Sequence, residues 1–141
     1  MKRLIYFFPI GLIWLLFGHV AAASVLEPID PRESVNYSFE LRLNQAKQLH
    51  AKLKEATPSE RLAFSEKSIE IIKKLNPEER RELSERFKTQ WKKLSDAQKK
   101  EIKHEARNYI TSLQDTEKKE LKRRKEQMLE FMSPEERKHW P

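Results

Sequence analysis

Bulky apolar side chains recur along this chain in a fixed relation to small polar ones. A polar position returns every 19 residues, at Thr57, Asn76, Ser95, Gln114 and Ser133. Seven residues after each stands Phe64, Leu83, Ile102, Leu121 or Trp140, and just before each stands Ala56, Leu75, Leu94, Leu113 or Met132. Further apolar residues follow in steps of three or four, such as Phe87, Trp91 and Leu94, or Ala106, Tyr109, Ile110 and Leu113. Such steps line one face of an α-helix. Thr57, Asn76, Ser95 and Ser133 then read as helix caps, and Gln114 as a weak one with Asp115 beside it. Three residues on come Glu60, Glu79, Gln98, Glu117 and Glu136, the partners of a capping box. Pro58, Pro77 and Pro134 fall at the first helical position, where a missing N–H costs nothing. The pattern predicts helices over 38–55, 58–74, 77–93, 96–112 and 115–131, with a stub at 134–140.

A basic residue follows each box: Arg61, Arg80, Lys99, Lys118 and Arg137. Ser38 opens a degenerate leading unit, with Arg42 in the basic slot and Gln45 where an apolar residue is expected. No strand alternation appears and no Gly follows Gly18, so the fold class is all-α. Junctions of one or two residues are shorter than those of most helical hairpins. Successive helices therefore meet at open angles or run on as bends, giving an elongated or curved array over 38–141. Residues 24–37, with Pro28 and Pro31, read as an extended leader. Helices this thin finish burying their apolar faces against a second copy, and a homodimer is expected.

The first residues follow another rule. Met1-Lys2-Arg3 is basic, Leu4 to Phe17 is apolar, and Ala21-Ala22-Ala23 is a small-residue site after Gly18. That order predicts a secretory signal peptide over 1–23. Left uncleaved, the same run would be an inner-membrane anchor of membrane-spanning length. Either way the remainder is placed in the periplasm, free or held at the inner membrane. Without Lys2 and Arg3 the net charge falls from +7 to +5, and acidic and basic residues interleave. Export and interleaving argue against a nucleic-acid partner and for solvated helix faces. The exception is the cluster Lys118, Lys119, Lys122, Arg123, Arg124 and Lys125. Beside it, Met128, Leu129, Phe131 and Met132 form an apolar stretch flanked by charge, the pattern of an interaction surface. Lys118, Lys122, Arg123, Lys125, Met128, Leu129, Phe131 and Met132 are the candidate partner-binding residues. An anionic membrane surface fits the same charges.

Zero Cys in an exported chain means no disulfide, so packing alone holds the fold. No phosphate loop, nucleophile elbow or Cys nucleophile is present, and no cofactor motif. Glu101 and Glu105 are spaced as neighbours on a wet helix face, and His104 between them reads as a surface residue. Neither an enzyme nor a metal protein is expected.

Leu75-Asn76-Pro77-Glu78-Glu79-Arg80, Leu94-Ser95-Asp96-Ala97-Gln98-Lys99 and Met132-Ser133-Pro134-Glu135-Glu136-Arg137 carry a resemblance. They resemble the repeated Leu-Ser-Pro-Glu-Gln/Glu-Arg units of an uncharacterised proteobacterial secreted family. More distantly, Leu94-Ser95-Asp96-Ala97-Gln98 is similar to the Leu-Thr-x-x-Gln motif of the Spy and CpxP periplasmic chaperones. The resemblance implies an all-helical periplasmic protein that binds unfolded clients or envelope proteins. The departures are a five-copy array, where such chaperones show two motifs, and Glu more often than Gln.

Overall fold

The computed structural model describes residues 18–19 and 26–139. The chain is all-α. Its helices are α1 (Pro31–Ser34), α2 (Phe39–Glu55), α3 (Pro58–Lys74), α4 (Pro77–Lys93), α5 (Asp96–Ser112), α6 (Asp115–Glu130) and α7 (Pro134–His139). Apart from them, Gly18–His19 pairs antiparallel with Glu27–Pro28. The first of these two-residue strands packs on α2 and the second on α3. Among the described residues no helix is long and apolar enough to cross a membrane. The rest of the expected signal sequence, and Trp140, lie outside the described residues.

The helix bounds follow from local chemistry. Thr57, Asn76 and Ser95 each accept the amide three residues on, and Glu60, Glu79 and Gln98 accept the cap's own amide in return. Ser38 and Ser133 make the first half of that exchange. At Gln114 the amide donates to Glu117 at 3.3 Å, while the Gln114 side chain makes no cap bond. The four breaks between α2 and α6 each take two successive extended residues. Leu75 sits at ψ 137° and Asn76 at ψ 164°, and Leu94 at ψ 145° precedes Ser95 at ψ 160°. Two extended residues stop the helical ladder outright, so no junction from α2 to α6 runs on as a bend, while α6 ends on Phe131 in the right-handed helical region at φ −91° and ψ 0°. Positive φ is absent from the described residues, so the corner makes no demand for glycine.

This corner sends consecutive helices apart rather than back along each other. The close pairings between full-length helices are α2 with α5 and α3 with α6. Each helix thus lies against the one three units further along, and the chain winds into a coil of helices. Two apolar clusters hold the turns. Leu49, Leu53, Phe64, Tyr109 and Leu113 form one, and Ile29, Val35, Ile72, Leu75, Leu83, Phe87, Met128 and Met132 the other.

The leader departs from expectation. It carries α1, capped by Asp30, and buries Ile29 and Val35 against α3 and α4 rather than trailing as an extended tether. Two side chains of α4 fix it: Gln90 donates to the Val35 carbonyl at 2.6 Å, and Arg86 donates to Asn36 at 2.9 Å. Pro31 at the first helical position stabilises the short turn that lets the segment dock.

Candidate functional site

Three of the basic residues that follow a cap have a structural task. Arg61 donates through Nη1 to the Ala56 carbonyl at 2.8 Å, and Arg80 to the Leu75 carbonyl at 2.5 Å. Arg137 reaches the Met132 carbonyl at 3.1 Å. Each arginine folds back over its corner and satisfies an orphan carbonyl at the end of the preceding helix. The rest of the fork reaches forward by three helices. Arg61 Nε donates to Glu120 at 2.9 Å with Glu117 nearby, and Arg80 donates to both oxygens of Glu136 at 2.9 and 3.0 Å. Arg80 is 6% exposed and also lies over the Phe131 ring, 5.5 Å from its centroid. A planar fork that grips a carbonyl and a carboxylate together locks the angle of one corner to the next turn of the coil.

α2 and α5 meet through a different set. His50 Nδ1 lies 2.8 Å from Glu105 Oε1, and the imidazole stacks on Tyr109 at 4.0 Å between centroids. His50 Nε2 is buried with no partner. Burial pushes the His50 pKa down while the Glu105 carboxylate pulls it up, and the net shift is downward. Burial also pushes the Tyr109 hydroxyl up to about 12. Glu105 is therefore no wet-surface carboxylate. Its neighbour Glu101 reaches Lys47 at 3.9 Å, and His104 lies 3.0 Å from Asn108. Among the described residues no three His, Asp or Glu side chains converge as a metal site would need.

The candidate partner-binding residues separate on α6. Lys118, Lys122, Arg123 and Lys125 are exposed. Met128 is wholly buried and Met132 is 3% exposed, so the expected apolar surface is corrected here: both belong to the core. Their positions, 14 and 18 residues after Gln114, match those of Tyr109 and Leu113 in the preceding unit, which face the interior too. Leu129 and Phe131 are half-buried against the same cluster. Arg124, counted in the basic cluster, is buried over the Phe64 ring at 5.9 Å, and its Nε and Nη1 have no hydrogen-bond partner. Burial pushes its pKa down.

Where α4 begins and α7 crosses it, Arg80, Arg81, Ser84, Ser133 and Glu136 line a cleft of about 620 Å³. The buried Ser84 hydroxyl has no partner. Glu78, Glu85 and Glu135 complete the walls, so the cleft carries both signs of charge and selects neither.

The arginine clamps and the His50–Glu105 pair were not singled out from the sequence as sites. Their signal was there: each pairing joins residues 55 to 59 positions apart, close to three repeats. No protein-family model matches this chain, and no curated protein or solved structure does.

Proposed function

We propose that the protein is a non-enzymatic envelope protein that binds protein clients, in the manner of a periplasmic chaperone or stress-response binder. The observation that carries the reading is the exposed row Lys118, Lys122 and Lys125 on α6 beside half-buried Leu121 and Leu129. Basic charge steers acidic segments inward, and partly open apolar positions supply contact once they arrive. The mechanism is weak, fast capture. The test is aggregation suppression, with the protein as an exporting bacterial host delivers it and an unfolding model client at near-equal molar ratio. Suppression that weakens when Lys118 and Lys125 are changed to Glu supports the reading, and no suppression at several-fold excess removes it.

A second reading is a structural or assembly factor at the inner membrane. The apolar run Leu4 to Ala23 favours it, being long enough to anchor an uncleaved chain. A membrane-held product that retains residues 1–23 would support the assembly role, and a soluble product starting at Ser24 the client-binding one.

A further inference from the structure

Two pairs of helices three apart, α3 with α6 and α4 with α7, meet in one register, while on α2 the residue in the basic slot, Arg42, donates to Gln90 of α4 instead. The earlier helix offers the basic residue four positions after its cap, and the later helix answers with carboxylates three and six positions after its own. Arg61 meets Glu117 and Glu120 in this way, and Arg80 meets Glu136. Residues ten and fourteen positions after the later cap complete the contact, as Glu105 and Tyr109 do against His50. The earlier helix buries its apolar positions in exchange: Phe64 and Ile72 on α3 and Leu83 on α4 are each no more than 5% exposed.

On α5 and α6 the same positions are only half-covered. Ile102 and Ile110 on α5, and Leu121 and Leu129 on α6, are all partly exposed. Lys99 and Lys118 hold the places of Arg61 and Arg80. Among the described residues, Lys99, Lys118, Lys122 and Lys125 are held in no ion pair, and no later helix pairs closely with α5 or α6. Lys125 takes the position at which α2 buries Leu49 and α4 buries Phe87. A charge there favours an occupant that brings a carboxylate to it.

The opposite end of the coil is already closed by the leader. Glu27 pairs with Lys67 on α3, Asn36 accepts from Arg86, and the Val35 carbonyl accepts from Gln90. Lys67 and Arg86 stand ten positions after their caps and Gln90 fourteen, where a preceding turn of the coil would sit. A second copy stacking head to tail would have to displace that leader.

We propose that α5 and α6 form a docking seat for an acidic amphipathic helix of a partner protein, held in the register that pairs helices three apart within the chain. The proposal rests on the client-binding reading and names its partner class. The incoming helix carries carboxylates near its N-terminus for Lys118, another further on for Lys125, and apolar residues that cover Leu121 and Leu129.

The test uses the chain as an exporting host delivers it and a fluorescent peptide one repeat long. The peptide has a Ser cap, Glu three, six and ten positions after it, and Leu at fourteen. A matched peptide carries Lys in place of all three Glu. Anisotropy should show the Glu peptide binding at least about tenfold more tightly, a ratio within reach of a few partly desolvated charge pairs. In a Lys118→Glu, Lys125→Glu variant with unchanged circular dichroism, the preference should reverse. Equal binding of both peptides, no binding of either, or an unchanged preference in the variant overturns the seat. Aggregation suppression measured in parallel separates the two ideas. Suppression without Glu-peptide preference leaves client binding and removes the seat, whereas Glu-peptide binding without suppression upholds the seat and removes the holdase reading. Self-association that disappears in the variant would give the seat to a second copy and overturn the proposal.

Discussion

Arg80 does two things at once, and the pair of contacts explains why a buried cation is tolerated there. Its guanidinium satisfies a carbonyl that a helix end would otherwise leave orphaned, and Glu136 neutralises the charge. Replacing Arg80 with Ala strands the Leu75 carbonyl and the Glu136 carboxylate together. The expected loss is about 2–3 kcal/mol by chemical denaturation. Arg80→Lys should recover little of it, because an ammonium cannot span a carbonyl and both carboxylate oxygens in one plane. Full recovery by lysine would mean that charge alone matters. Lys99 and Lys118 hold the same position on α5 and α6 and, among the described residues, neither is held in an ion pair.

At the scale of the element, each helix is fixed by its own ends. Ser95 accepts the Gln98 amide at 3.1 Å and Gln98 accepts the Ser95 amide at 3.0 Å. Ser95→Ala should therefore cost about 1 kcal/mol in thermal or urea unfolding. An unchanged melting curve would mean that the two extended residues alone stop the helix. The α2–α5 contact adds a pH dependence. The groups facing His50 are Glu105 and Tyr109 from α5 and Lys54 from its own helix. With its folded pKa lowered, His50 takes up a proton less readily in the native state than in the unfolded one. The unfolded chain therefore binds more protons below the ordinary value of 6.5, and stability present above that value is lost as pH falls through it. Melting temperature should drop as the solution is acidified from neutrality through that value, and His50→Gln should flatten the drop. Equal slopes in the two proteins would remove His50 as the cause.

The whole molecule depends on how its two ends are finished. The leader closes one end by placing Ile29 and Val35 against α3 and α4, so those residues belong to the core. Ile29→Ala should cost about 2–3 kcal/mol, the range for deleting a buried aliphatic side chain. A cost under about 0.5 kcal/mol, the scale of surface substitutions, would return the segment to a loose tether. Leu41 and Leu62, the large apolar residues most exposed among those described, lie on α2 and α3 at the leader's end of the coil. The other end keeps its partly covered apolar positions and its lysines on α5 and α6.

The sequence by itself determined the helices from Phe39 onward. Caps, first-turn prolines and apolar steps of three and four are local signals, read within one turn of backbone, and they place the helices within a residue or so of their ends. They also marked Phe64, Leu83 and Ile72 as core, because a face that repeats at the helical period must be buried somewhere. Only the tertiary structure decided where. Two extended residues at each corner from α2 to α6 set an angle that side-chain periodicity does not encode, and that angle brings together helices three apart. Met128 is core and Lys125 exposed for this reason, although they stand three residues apart on one helix. The same angle turns Arg61 and Arg80 from surface charges into clamps, and the Pro-containing leader into the closure of the coil. Neighbours 40 to 59 residues away fix the clamps and the leader, and no window of local sequence reaches that far.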